Sequence, residues 1–243
     1  MNAIYTPSGM AREYAPLAVN LYSGCTHACT YCYAPNALRR DRAEYHQAAK
    51  PRAGILDALR IDAAKLAAKK CRDEILLCFT CDPYAAETDT MTTRSALRIL
   101  GEAGLNATVL TKGGMRAERD FDLLKKFDFA FASTLCWTDD IRRAQWEPNA
   151  ATVAERMEAI RRAHTLGIRT WVSIEPVIVA AQALAVIESL AGHVDLWKVG
   201  KINYNAAAER ANDWPVFTRD VVALCARLKQ NLFLKESLAR FAP

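Results

Sequence analysis

Six times in 243 residues a short, β-rich apolar run is followed by a longer amphipathic one, and this alternation leaves few folds open to the chain. The strand candidates are LAVNLY (17–22), EILLCFT (74–80), NATVLTK (106–112), FDFAFAST (127–134), RTWVSIE (169–175) and DLWKVGK (195–201). Helix candidates lie near 53–70, 92–103, 117–126, 151–166, 180–191 and 215–230. Thr152 and Glu155 have the spacing of a capping box, while Gly167 and the Ala-Gly pair at 103–104 stand where helices stop. Strands joined by helices run parallel, because the helix returns the chain to the end at which the last strand began. The chain is therefore α/β, with a parallel sheet that is open or rolled into a full or partial barrel. No linker divides it, so one domain is expected over 1–243. Its parts are an arm over 1–16, a core over 17–205, and a C-terminal helix and cover over 206–243. In the last part, NLFLKES (231–237) forms either a final strand or a cover.

Parallel sheets gather ligands beyond the carboxyl ends of their strands. Chemistry is thus expected at 23–35, 80–90, 111–116, 133–147, 175–178 and 200–205. The opening MNAIYTPSGMAREY lacks the basic-then-apolar order of a secretory signal, and no run of 18 apolar residues exists, so a cytoplasmic protein without membrane contact is expected. In that compartment eight cysteines point to reduced thiols, metal or catalysis rather than disulfides. A formal charge of +5 permits a phosphate-bearing partner without demanding one.

The first strand runs into Gly24-Cys25-Thr26-His27-Ala28-Cys29-Thr30-Tyr31-Cys32-Tyr33, a C-x3-C-x2-C spacing. Three closely spaced thiolates on one loop can hold three irons of a [4Fe-4S] cluster and leave the fourth open to an outside ligand. Zinc on the three cysteines plus His27 is the simplest alternative, although zinc sites usually pair two-cysteine knuckles that lie far apart in sequence. Cys71 at a helix end, Cys78 in a buried strand and Cys225 in the last helix read as packing residues rather than an auxiliary cluster.

With this loop after the first of six strand–helix units, the chain resembles the radical S-adenosylmethionine (radical SAM) superfamily over roughly residues 17–205. NLYSGCTHACTYCYAP, TCDPYAAE, the Thr-Lys at 111–112 and WEPNAATVAERMEAIRRAHTLGI with SIEPVI resemble its spore photoproduct lyase-like branch. The resemblance implies a partial (βα)6 TIM-like barrel, a [4Fe-4S] cluster on Cys25, Cys29 and Cys32, and S-adenosyl-L-methionine as cosubstrate. A flavodoxin or ferredoxin is the implied reductant. It further implies that Tyr31 lies beside the adenine, that Cys81 and Asp82 take the methionyl amino group, and that Lys112 pairs with the methionyl carboxylate. Ser133 would hydrogen-bond the cofactor, and Glu175 would meet ribose hydroxyls or substrate. Glu147, Asn203 and Tyr204 would add polar lining.

In the lyase, tyrosines matching Tyr31 and Tyr33 relay a hydrogen atom with a cysteine whose position here is Phe79. Strand alternation sends Cys78 and Phe79 to opposite faces, so Cys81 and Cys136 become the candidate thiol donors, alongside Tyr33. Arg39, Arg40 and Arg42, with Arg142 and Arg143 between Trp137 and Trp146, suit a nucleic-acid or nucleotide substrate. Little chain follows the sixth unit, so a lesion other than the lyase's thymine dimer is expected. A peptide or small metabolite as substrate, a non-catalytic iron–sulfur sensor and a zinc-binding nucleic-acid module are the alternatives.

Overall fold

A computed structural model of the chain describes residues 2–203 and 205–242; Tyr204 lies outside them. Its strands are β1 (Ile4–Tyr5), β2 (Leu17–Val19), β3 (Tyr22–Ser23), β4 (Lys50–Pro51), β5 (Glu74–Leu77), β6 (Asn106–Thr111), β7 (Ala130–Thr134), β8 (Thr170–Val177), β9 (Leu196–Lys201) and β10 (Leu232–Leu234). One sheet has the order β1-β2-β5-β6-β7-β8-β9-β10. β1 pairs antiparallel with β2, and every later pair is parallel. The six expected strands are β2 and β5–β9, side by side in chain order. β10 extends the row beyond β9, so 231–237 contributes a strand, and part of the arm forms β1 at the other end. This mixed α/β fold, with its mostly parallel sheet, is the partial barrel expected.

The helices are α1 (Ala34–Ala37), α2 (Arg42–Gln47), α3 (Ile55–Ala68), α4 (Met91–Glu102), α5 (Phe121–Lys126), α6 (Asp140–Trp146), α7 (Val153–Thr165), α8 (Ala180–Leu190), α9 (Ala206–Arg210), α10 (Trp214–Arg227) and α11 (Glu236–Ala239). The helix expected over 117–126 starts as a 3-10 turn over Gly114–Asp120. Three short helices, α1, α2 and α6, occupy segments whose sequence reads as loop. The capping box forms: Glu155 N–H donates to Thr152 Oγ1, and Thr152 N–H donates to Glu155 Oε2. Thr152→Ala is expected to cost about 1 kcal/mol in urea unfolding. Gly167 adopts φ +72° and closes α7 with a hydrogen bond from its N–H to His164 O, at 2.8 Å.

Strand alternation separates two apolar layers. Val19, Ile75, Leu77, Val109, Phe131, Val172 and Trp197 belong to the larger core. Ala18, Leu76, Ala130, Ala132 and Trp171 form a smaller cluster. Its alanines leave space, and Tyr14 from the arm fills part of it, with its ring 5.9 Å from Trp171 and 6.0 Å from Phe79. Lys198 lies over the Trp171 ring and donates to the carbonyls of Glu13 and Tyr14; burial pushes its pKa down.

Candidate active site

Residues 24–49 leave the sheet as one excursion, closed at its base where β3 pairs with β4. The cysteine loop is its first part. Gly24 takes φ +88°, where a Cβ would stand 2.8 Å from the Tyr45 carbonyl, so glycine alone lets the loop lie against α2. On one side Cys25 N–H donates to Tyr45 O; on the other, Thr30 N–H donates to Trp146 O and Asn149 Nδ2 to Thr26 O. Cys29 is buried, whereas Cys25 and Cys32 are half-buried.

Next to the loop is a cavity of about 390 Å³ at the carboxyl ends of the strands. The three cysteines do not line it. Their neighbours Tyr31 and Tyr33 do, as do Cys81, Asp82, Lys112 and Glu175. The Tyr31 hydroxyl donates to Glu147, which is fully buried and paired with the equally buried Arg156 at 2.6 Å. Burial opposes the charge on Glu147, but Arg156 and Lys112 outweigh it and hold the carboxyl below its ordinary range. The Lys112 ammonium sits 5.7 Å from the Tyr31 ring centre, with no ion-pair partner within 4.0 Å among the described residues. Burial acts to discharge it; Cys29 and Glu147 overcome this and keep its pKa above the usual value. Lys112 is thus a charged donor facing the cavity.

Asp82 is otherwise engaged than expected. Its Oδ1 accepts from Thr111 Oγ1 (2.6 Å) and Tyr84 N–H (2.8 Å), and its Oδ2 accepts from Lys112 N–H (2.8 Å). His27 Nε2 approaches Oδ2 at 3.1 Å. Three hydrogen bonds and the His27 contact thus tie β5, β6 and the cysteine loop together around this carboxylate and occupy most of its acceptor sites. Burial again opposes ionisation, but His27 and Thr111 win and depress the pKa far below the carboxylate range. His27 therefore faces Asp82 rather than completing a zinc site.

Strand register corrects two further expectations. Ser133 is buried on the Phe131 side of β7 and donates to Thr111 O (3.2 Å); the cavity-lining residue of this strand is Thr134. Cys136 packs in the larger core with 2% exposure and does not reach the cavity wall. Cys78 and Phe79, by contrast, both line the cavity, because β5 ends at Leu77 and the alternation lapses there. Cys81 lies beside them. Tyr33 is 48% exposed and donates to Phe79 O at 3.1 Å.

Across the cavity, Glu175 Oε2 accepts from the Tyr14 hydroxyl and from Lys235 Nζ (2.6 Å), the latter from a side chain 2% exposed. Tyr14, Lys235 and Arg156 come from the arm, the last strand's end and a helix face, and sequence reading did not single them out.

The cysteine loop fits a four-iron cluster. Burial pushes the Cys29 thiol up to about 12 and the Cys25 thiol well above its ordinary value, so bare thiolates are disfavoured until bound iron supplies positive charge. No three His, Cys, Asp or Glu side chains among the described residues converge on one ion position. A cluster needs no such point, because each thiolate takes its own iron.

Comparison with known proteins agrees with this geometry. The model of the radical SAM superfamily matches residues 19–182. An uncharacterized protein of Methanocaldococcus jannaschii is 26% identical over 167 residues, which cover 68% of this chain and 61% of that one. A spore photoproduct lyase mutant with bound AdoMet and dinucleoside spore photoproduct superposes with TM-score 0.67 at 16% identity, over 84% of this chain and 62% of its own. Streptococcus suis SuiB bound to S-adenosylmethionine gives TM-score 0.65 at 12% identity, over 89% and 49%. The chain therefore spans about half to three-fifths of the length of these relatives, and the likeness to the two solved structures is one of fold.

Proposed function

Because this chain belongs to the radical SAM superfamily, which implies a [4Fe-4S] cluster and S-adenosylmethionine, we propose that it cleaves S-adenosylmethionine reductively and abstracts a hydrogen atom from a nucleic-acid base or modified nucleotide. The observation that carries this reading is the charged Lys112, without an ion-pair partner among the described residues, facing a cavity beside the three-cysteine loop. When bound, cluster and cosubstrate together supply a 5′-deoxyadenosyl radical. Cys25, Cys29 and Cys32 hold the iron, and Lys112 binds the methionyl carboxylate. Tyr31, fixed by Glu147 and Arg156, packs beside the adenine. With the Asp82 carboxylate engaged by Thr111, Tyr84 and Lys112, main-chain carbonyls near Cys81 receive the amino group. Glu175 keeps Oε1 for a hydroxyl of ribose or substrate, and Cys81, which lines the cavity with Cys78, is the candidate thiol donor. A single catalytic domain in the cytoplasm, reduced by a flavodoxin or ferredoxin, completes the proposal.

Loss of a charge-assisted contact costs about 1.5–3 kcal/mol. Lys112→Met is therefore expected to weaken S-adenosylmethionine binding about 10- to 100-fold in calorimetry, with iron content unchanged.

The nucleotide assignment draws on the dinucleoside ligand of the lyase that shares this fold. In its favour would be 5′-deoxyadenosine formation stimulated by damaged oligonucleotides that bind with salt-dependent affinity. Absence of both would sink it. A peptide or small metabolite is the second reading, favoured by what the mouth arginines do. Arg42 and Arg143 serve main-chain carbonyls and Arg142 pairs with Asp139, so three charges expected for phosphate are engaged within the protein.

A further inference from the structure

Tyr45 of α2 has no exposed surface, belongs to neither apolar layer, and its hydroxyl has no hydrogen-bond partner among the described residues. A buried hydroxyl without a partner is unfavourable, so the position calls for an acceptor that the described residues do not provide. The surroundings identify it. Tyr45 O accepts from Cys25 N–H at 3.2 Å. From the same helix, His46 Nδ1 lies 2.8 Å from Cys25 O. Arg42 donates to Thr30 O (2.5 Å), Cys32 O (3.1 Å) and Cys29 O (3.4 Å). One turn of helix thus grips the main chain of all three cysteines. Arg40 lies 5.7 Å from the Tyr45 ring centre and helps to shield it.

We infer that α2 is a clasp for the cysteine loop and that the Tyr45 hydroxyl donates a hydrogen bond to a sulfur of the bound cluster on its Cys25 side. Reduction adds negative charge to the sulfurs, and a donor aimed at one of them stabilises the reduced form and raises the potential. Tyr45 is then a positioning residue for electron delivery. The inference rests on the radical SAM reading for the presence of the cluster, and iron content tests that part separately.

The experiment is anaerobic reconstitution of the full chain and of Tyr45→Phe, which keeps the ring and removes only the hydroxyl. Iron per chain, a redox titration followed by electron paramagnetic resonance, and the Fe–S stretching frequencies in H₂O and D₂O are then compared. The expected variant holds the same iron but is about tenfold less reduced at a fixed potential, equivalent to a midpoint about 59 mV more negative for one electron. It also loses a deuterium shift seen in the wild type. An unchanged midpoint with unchanged deuterium sensitivity overturns the inference. So does loss of iron in the variant alone, since that marks a merely structural role. A wild-type chain that takes up no iron overturns the cluster assignment and this inference with it.

Discussion

Replacing Asp82 by alanine is expected to be the most damaging single change outside the cysteines, costing on the order of 4 kcal/mol or more. Thr111 Oγ1, Tyr84 N–H and Lys112 N–H all lose their acceptor in one step, and the His27 ring loses its charged neighbour. Each buried donor left unmade costs about 1–3 kcal/mol. The urea midpoint should fall accordingly, and iron uptake should fall with it, because His27 sits between Cys25 and Cys29. Asp82→Asn should land between the two, since an amide returns one oxygen and turns a donor toward the remaining partners. Acid sharpens the test. A carboxyl whose folded pKa is depressed contributes stability that is complete above its unfolded value, near 3.9, and is lost as pH falls through the folded one. Asp82 is of this kind. The gap between wild type and Asp82→Ala should therefore stay constant from neutrality to about pH 4 and close only in stronger acid. A gap that already closes at pH 6 would show that the carboxylate is not the anchor described.

Arg156→Met is expected to cost about 3–5 kcal/mol, the usual consequence of stranding one member of a buried ion pair. For a chain of this size that corresponds to a fall of roughly 6–20 °C in melting temperature. Arg156 is 1% exposed, pairs with Glu147, and donates from Nη1 to Thr134 O and from Nε to Ala151 O. Methionine fills much of the volume and removes the charge. Removing Glu147's charge as well, in Arg156→Met with Glu147→Gln, should recover a large part of the loss, because no buried carboxylate remains uncompensated. The sign with pH follows from Glu147's depressed pKa. Its stabilisation is present at neutrality and disappears in acid, so the single variant's deficit should be largest near pH 7 and shrink below the carboxylate range. A double variant no better than the single one would mean that the arginine acts through its carbonyl contacts alone.

Much of this architecture can be read from the sequence, and the exceptions have physical causes. The six parallel strands are legible because each apolar run is followed by a helix with its own stop signal, as with Gly167. The cysteine loop is legible because its chemistry is local, with three ligands inside eight residues. Register on β7 is not. Ala130–Thr134 is buried on both faces, so hydrophobicity does not alternate and nothing distinguishes Ser133 from Thr134. Arg156 carries no signal either, since its helical run names no partner and Glu147 lies on a different element. Tyr14, Glu175 and Lys235 meet only because the sheet brings both ends of the chain to one cavity. Asp82 is recognisable as a site residue, but its partners come from the loop, the turn and the next strand, and only the fold shows how they engage it. Tyr45 sits in the polar segment RAEYHQ, where no apolar periodicity hints at complete burial.

The most direct test of the central claim is anaerobic reconstitution with iron and sulfide, followed by dithionite and S-adenosylmethionine, with 5′-deoxyadenosine quantified by chromatography in the wild type and in Cys29→Ala. The account predicts a wild-type chain carrying about four irons and forming 5′-deoxyadenosine, and a variant that forms none. Zinc bound in place of iron, or a fully loaded cluster that leaves S-adenosylmethionine intact even with reductant and candidate substrates present, would contradict it.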